Sequence, residues 1–101
     1  MKTITDESRE LELYIVNDRE LYRQQTQAIQ NSLRKKFEKG VYDHQKAPKL
    51  WGYLVESGAK KYCLEFGSKC DKWFEMFPVS ARKEAAQSLA DSWKVEMELG
   101  N

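Results

Sequence analysis

The sequence predicts a single all-α domain spanning residues 1–101, a small bundle of three long helices with one or two short ones. Three observations carry this prediction. Residues 43–67, DHQKAPKLWGYLVESGAKKYCLEFG, place Leu50, Trp51, Leu54, Val55, Gly58, Tyr62 and Phe66 at spacings of three and four, the period of one broad helix face. Helix start and stop signals recur at intervals along the chain, with Gly40 and Pro78 as the strongest stops. The one strand-like alternation, Leu11, Leu13 and Ile15, stands alone with no second strand to pair with.

Residues 1–5 read as a frayed end. Residues 6–16 are expected to form a short helix, because Glu7, Glu10 and Glu12 suit a helical first turn and Leu11, Tyr14 and Ile15 share a helix face. A long helix is expected over 19–39. Asn17 is the expected cap, with Glu20 reaching back and Val16 and Leu21 at the two staple positions. Its stripe is Leu21, Tyr22, Gln25, Ala28, Ile29, Leu33 and Phe37. Gly40 ends it, with Lys35, Lys36 and Lys39 in the last turns, where cations complement the helix dipole.

The central helix is expected over about 45–66. Asp43 is its best cap, but Pro48 lacks an N–H for the first internal bonds, so either the helix starts late or its first turn is distorted. Gly67 fits the end of that helix. Trp73, Phe74, Met76 and Phe77 read as one or two helical turns closing one end of the core, stopped by Pro78. Ser80 is the expected cap of a last helix over 81–98, with Ala81, Ala85, Leu89, Trp93 and Met97 as its stripe. The expected core joins Trp51, Leu54 and Tyr62 to Ile29, Leu33, Leu89 and Trp93.

Composition narrows function mainly by exclusion. No glycine-rich phosphate loop, nucleophile elbow, H-E-x-x-H or EF-hand pattern occurs. The single histidine, His44, lies among polar neighbours and reads as a solvated surface residue. Cys63 and Cys70 have no ligand set around them that suits a structural zinc, and a cytosolic chain keeps them reduced. The expectation is a non-enzymatic protein without cofactor or metal. No apolar run approaches a membrane span, and the N-terminus has no signal-peptide core, so the expected location is the cytoplasm.

Charge is the feature left to explain. Residues 34–69 carry a net +5, and the stretches on either side carry −2 each. Arg34, Lys35, Lys36, Lys39, Lys46 and Lys49 would meet where the second and central helices join, a candidate phosphate-binding region for a nucleic-acid partner. The aromatic surplus points elsewhere. A domain this small cannot bury twelve aromatics, and Tyr53, Trp73 and Phe77 are the candidates for an exposed contact surface toward another protein or a second copy of the chain. Near-neutral overall charge favours the protein partner over nucleic acid.

The strings ELYIVND, LYRQQ, KLWGYLVESGAKKY and FPVSARKEAA resemble a family of small phage and prophage proteins. The likeness covers about residues 9–99. It implies a helical protein made inside an infected or lysogenic bacterium, acting on a host or phage macromolecule. The family has no assigned activity and contributes no catalytic residues. Pro48 departs from the helix-forming residue such a segment would carry.

Overall fold

The computed structural model describes residues 6–66, 75 and 77–99. Among these there are four helices and no strand: α1 at Asp6–Asn17, α2 over 19–38, α3 at Ala47–Phe66 and α4 at Val79–Leu99. The fold is all-α. No described helix is long and apolar enough to cross a membrane. The expected fraying of 1–5, the short helix around Trp73 and the Gly67 stop lie outside the described residues.

The core is made by α1, α3 and α4 packed on one another, with α2 along their edge. From α1, Ser8, Leu11 and Ile15 are buried while Leu13 and Val16 face outward. That is helical spacing, and it resolves the alternation of Leu11, Leu13 and Ile15. From α3 come Trp51, Leu54, Val55, Ala59 and Cys63; from α4 come Ala81, Ala85, Ala86, Leu89, Ala90 and Trp93. The alanines let α4 lie close to its neighbours. Gly58 does the same for α3: a Cβ there would sit 2.4 Å from Ile15 Cγ1 and 2.8 Å from Ile15 Cδ1.

This departs from the expected packing. The first, short helix holds a central seat, and the long second helix is peripheral. Of the seven residues in the α2 stripe, only Leu21 and Leu33 are buried; Tyr22 and Ala28 are exposed. Part of the reason is a π-helical turn at Tyr22–Thr26. Its wider winding shifts the apolar positions off a single line.

Helix boundaries also moved for identifiable reasons. The α2 cap is Asp18, whose Oδ1 accepts from the Leu21 N–H at 2.9 Å. Asn17 belongs to α1, and Val16 is too exposed to act as a staple. At its far end α2 closes as expected. Gly40 takes φ 73°, its N–H donates to Phe37 O at 3.2 Å, and the Val41 N–H donates to Lys36 O at 2.9 Å. That is a Schellman closure, and the positive φ is why glycine stands there. Asp43 organises a turn rather than capping α3 directly: its Oδ1 accepts from the Gln45 N–H, and its carbonyl from those of Lys46 and Ala47. The helix proper then begins at Ala47, so Pro48 falls in the first turn, where a missing N–H costs nothing. At α4, Ser80 lies inside the helix. The Pro78 carbonyl accepts from the Arg82 N–H at 3.0 Å, and the Arg82 Nε–H donates to Phe77 O at 2.9 Å, starting the helix two residues early.

Polar links tie the three core helices together. Tyr62 on α3 donates to the Glu10 carboxylate on α1, and Ser88 on α4 donates to Glu12 Oε1 at 2.9 Å. The Lys61 ammonium sits 2.8 Å from Glu20 Oε2 and 2.9 Å from Asp18 Oδ1, fastening the α1–α2 corner to α3. Those carboxylates, Glu20 first and then Asp18, raise the lysine above its ordinary range. Burial alone would raise the Asp18 carboxyl, but the Leu21 N–H and Lys61 together outweigh it and hold it low.

A depressed folded-state value stabilises the fold above the unfolded value, and that stabilisation is lost as pH falls through the folded one. Asp18→Ala should therefore cost about 1–2 kcal/mol near neutrality through loss of the cap. The gap from the wild type should narrow below about pH 4. Urea unfolding in neutral and acidic buffer checks this; a gap that does not change with pH would contradict it.

Candidate functional site

The Schellman closure of α2 turns the chain so that Val41 and Lys36 lie beside the first turns of α3. The result is a groove of about 490 Å³. Leu33, Ala47 and Leu50 form its apolar floor, the first two almost fully buried. Val41 and Tyr53 stand along it with large exposed surfaces, 64% and 60%. Lys36, Lys46 and Lys49 are exposed around it, with Asp43 as the acidic lining residue.

The structure thus brings together residues that the sequence assigned to two different surfaces. Lys36, Lys46 and Lys49 from the basic set share one groove with Tyr53 from the aromatic set. Arg34, Lys35 and Lys39 are exposed nearby but do not line it; Arg34 opens on a separate hollow with Tyr22, Trp93 and Glu96. None of these six cations forms an ion pair with another described residue. By contrast Lys60 pairs with Glu56, Lys61 with Asp18 and Glu20, and Lys94 with Glu98.

The other two aromatic candidates fare differently. Phe77 is 1% exposed and packs edge-on against Tyr62, with ring centres 5.1 Å apart. It is core, not contact surface. The bend before Pro78, held by Arg82 on the Phe77 carbonyl, turns the ring inward. Trp73 lies outside the described residues, as does Cys70. Cys63 is buried in α3. Among the described residues, no three His, Cys, Asp or Glu side chains cluster closely enough to hold a metal ion.

His44 is not the solvated residue its neighbours imply. Its Nδ1 lies 2.8 Å from the Tyr42 hydroxyl and its Nε2 lies 2.7 Å from Asp91 Oδ1 on α4. Asp91 accepts a further bond from Gln87 at 2.8 Å. Burial first, then the carboxylates of Asp91, Asp43 and Glu98, raise the Tyr42 hydroxyl. The two ring nitrogens of His44 thus make one hydrogen bond with the Tyr42 hydroxyl and one with the Asp91 carboxylate. Tyr42 also packs on Trp93 and Phe37, at 5.4 and 5.8 Å between ring centres. With both ring nitrogens engaged internally, His44 acts as a strap from the groove wall to α4. No sequence signal points to it, since Asp91 is 47 residues away.

No protein-family model, no curated protein and no solved structure matches this chain.

Removing the strap should loosen the groove wall at modest cost. His44→Ala and Asp91→Ala should each lose about 0.5–1 kcal/mol, small because Asp91 is half-exposed. The double variant should lose less than the sum of the two, because the shared bond is lost only once, as measured by urea unfolding. Strictly additive losses would show that the two residues do not act as one contact.

Proposed function

We propose that this chain is a non-enzymatic accessory protein of the phage or prophage kind, working in the bacterial cytoplasm. It holds a segment of a host or phage protein in the groove at the α2–α3 turn. The observation that carries this reading is the lining itself: an apolar floor, an exposed tyrosine and three lysines without a carboxylate partner among the described residues.

Such a lining matches the anatomy of a protein interface, an apolar centre inside a charged rim. The volume suits one or two inserted side chains, within the usual ~300–1,000 Å³ of ligand sites. The complementary segment carries an aliphatic or aromatic anchor flanked by Asp or Glu. The cations steer the encounter and set its salt dependence, and the anchor supplies most of the affinity. The groove changes one expectation. Lys36, Lys46 and Lys49 now belong to the contact, where the sequence alone offered them as part of a phosphate-binding region.

A nucleic-acid partner draws support from the same six unpaired cations. Against it stands the apolar floor of Leu33, Ala47 and Leu50, which gives a phosphate backbone nothing to bind.

Selection of a displayed random-peptide library on the immobilised protein separates the readings. Acidic sequences with a Phe, Leu, Trp or Ile anchor should be enriched. Enrichment should vanish on Tyr53→Ala and on Lys46→Glu/Lys49→Glu protein that keeps its helical circular dichroism. Enrichment without acidic bias, or none at all, overturns the proposal. So does binding of a single-stranded oligothymidylate well below the non-specific ~10⁻⁴–10⁻⁶ M range that is lost in the lysine variant.

A further inference from the structure

We infer that the groove accepts the carboxyl-terminal end of α4 from a second copy of this chain. This rests on the reading of the groove as a site for acidic, apolar-anchored segments. The chain carries one such segment itself. On the last two turns of α4, Trp93 and Met97 turn toward the body of the protein, while Val95 and Leu99 point away, 51% and 81% exposed. Leu99 is the most exposed of the large apolar side chains described. Glu96 and Glu98 are exposed beside these anchors. Glu98 makes a long surface contact of 3.7 Å to Lys94. The segment Val95-Glu96-Met97-Glu98-Leu99 thus has the composition that the groove calls for.

Within one molecule the segment does not fill the groove, since none of residues 95–99 lines it. The end of α4 lies along the flank of α2 formed by Gln30, Arg34 and Glu38, where Glu96 and Met97 share a hollow with them. Those three residues are spaced by four and form one row. The groove opens on the flank carrying Leu33 and Lys36. At 100° per residue, Lys36 stands about 160° around the helix from Arg34. Tyr42 on the groove wall packs on Trp93 of the same chain, so the inward face of α4 is already used, while the Val95 and Leu99 face stays exposed and is left for a second copy. The local charges agree: Lys36, Lys46 and Lys49 outnumber Asp43 in the groove, and Glu96 and Glu98 outnumber Lys94 at the end of α4. If the two copies are related by a two-fold axis, each end fills the other's groove and the pair closes.

Charge exchange provides the test, with mass read by light scattering after size exclusion. The wild type should run above monomer mass at low ionic strength and fall toward it as salt rises from about 50 to 500 mM, over which the screening length shortens several-fold. Lys46→Glu/Lys49→Glu has an acidic groove and an acidic end. Glu96→Lys/Glu98→Lys has a basic groove and a basic end. Each should be monomeric alone. Their equimolar mixture should associate, because each groove then meets an end of opposite sign. All four positions are exposed, and circular dichroism confirms that both variants fold. A wild type that stays monomeric at low salt, or a mixture that does not associate, overturns the inference. If either happens while the peptide library still yields acidic anchored sequences, self-pairing fails and the groove's role toward another protein stands. Retained association in Leu99→Asp would also overturn it.

Discussion

The packing rests on a side chain that is absent. At Gly58, helix α3 comes so near to Ile15 that a single methyl group would overlap it by more than an ångström of ordinary contact distance. That absence lets α1 settle against α3 with Leu11 and Ile15 fully covered. Ile15 in turn has little freedom, being 99% buried and β-branched. Around this crossing the alanines of α4 close the third side, and the links Glu10–Tyr62, Glu12–Ser88 and Asp18–Lys61 fix the helices in rotation.

The groove follows from that crossing. Because α1 packs against both α3 and α4, α2 is left on the edge with only Leu21 and Leu33 buried. A peripheral helix does not bring its basic end into close contact with the core. Its closure at Gly40 then leaves a gap between the end of α2 and the start of α3, floored by Leu33, Ala47 and Leu50. The His44–Asp91 bond spans from this gap to α4 and keeps its wall from drifting. Lys36 from the end of α2 and Lys46 and Lys49 from the start of α3 thereby come to surround an apolar hollow.

Much of this was legible in the sequence where local chemistry decides. The period of α3, the all-α class and the Gly40 stop follow from spacing and from glycine's access to positive φ. Asn17 and Asp18 are both good caps, and which one serves depends on where α1 ends and on Lys61, 43 residues away. Ser80 falls inside the helix because the Arg82 bonds to the Phe77 and Pro78 carbonyls start it two residues earlier. The prominence of α2 was over-read because a sequence stripe assumes 3.6 residues per turn, and the π turn at Tyr22–Thr26 breaks that phase. The basic set was legible as a cluster. The presence of Tyr53 among its lysines was not, since only the tertiary path of the turn brings them together. Phe77 was assigned to the surface by counting aromatics, and no count says which ring a bend will turn inward.

The most direct test of this account is a double-mutant cycle at the crossing, with Gly58→Ala, Ile15→Ala and their combination compared by urea unfolding. Gly58→Ala alone should destabilise, although alanine is favoured over glycine by about 1 kcal/mol inside a helix. Ile15→Ala alone should cost about 2–5 kcal/mol as a buried truncation. With the space vacated by Ile15, alanine at 58 should be accommodated, and the double variant should be more stable than the sum of the single losses by about 0.5–3 kcal/mol. Additive losses, or a Gly58→Ala protein more stable than wild type, would contradict the claim that this close approach sets the packing.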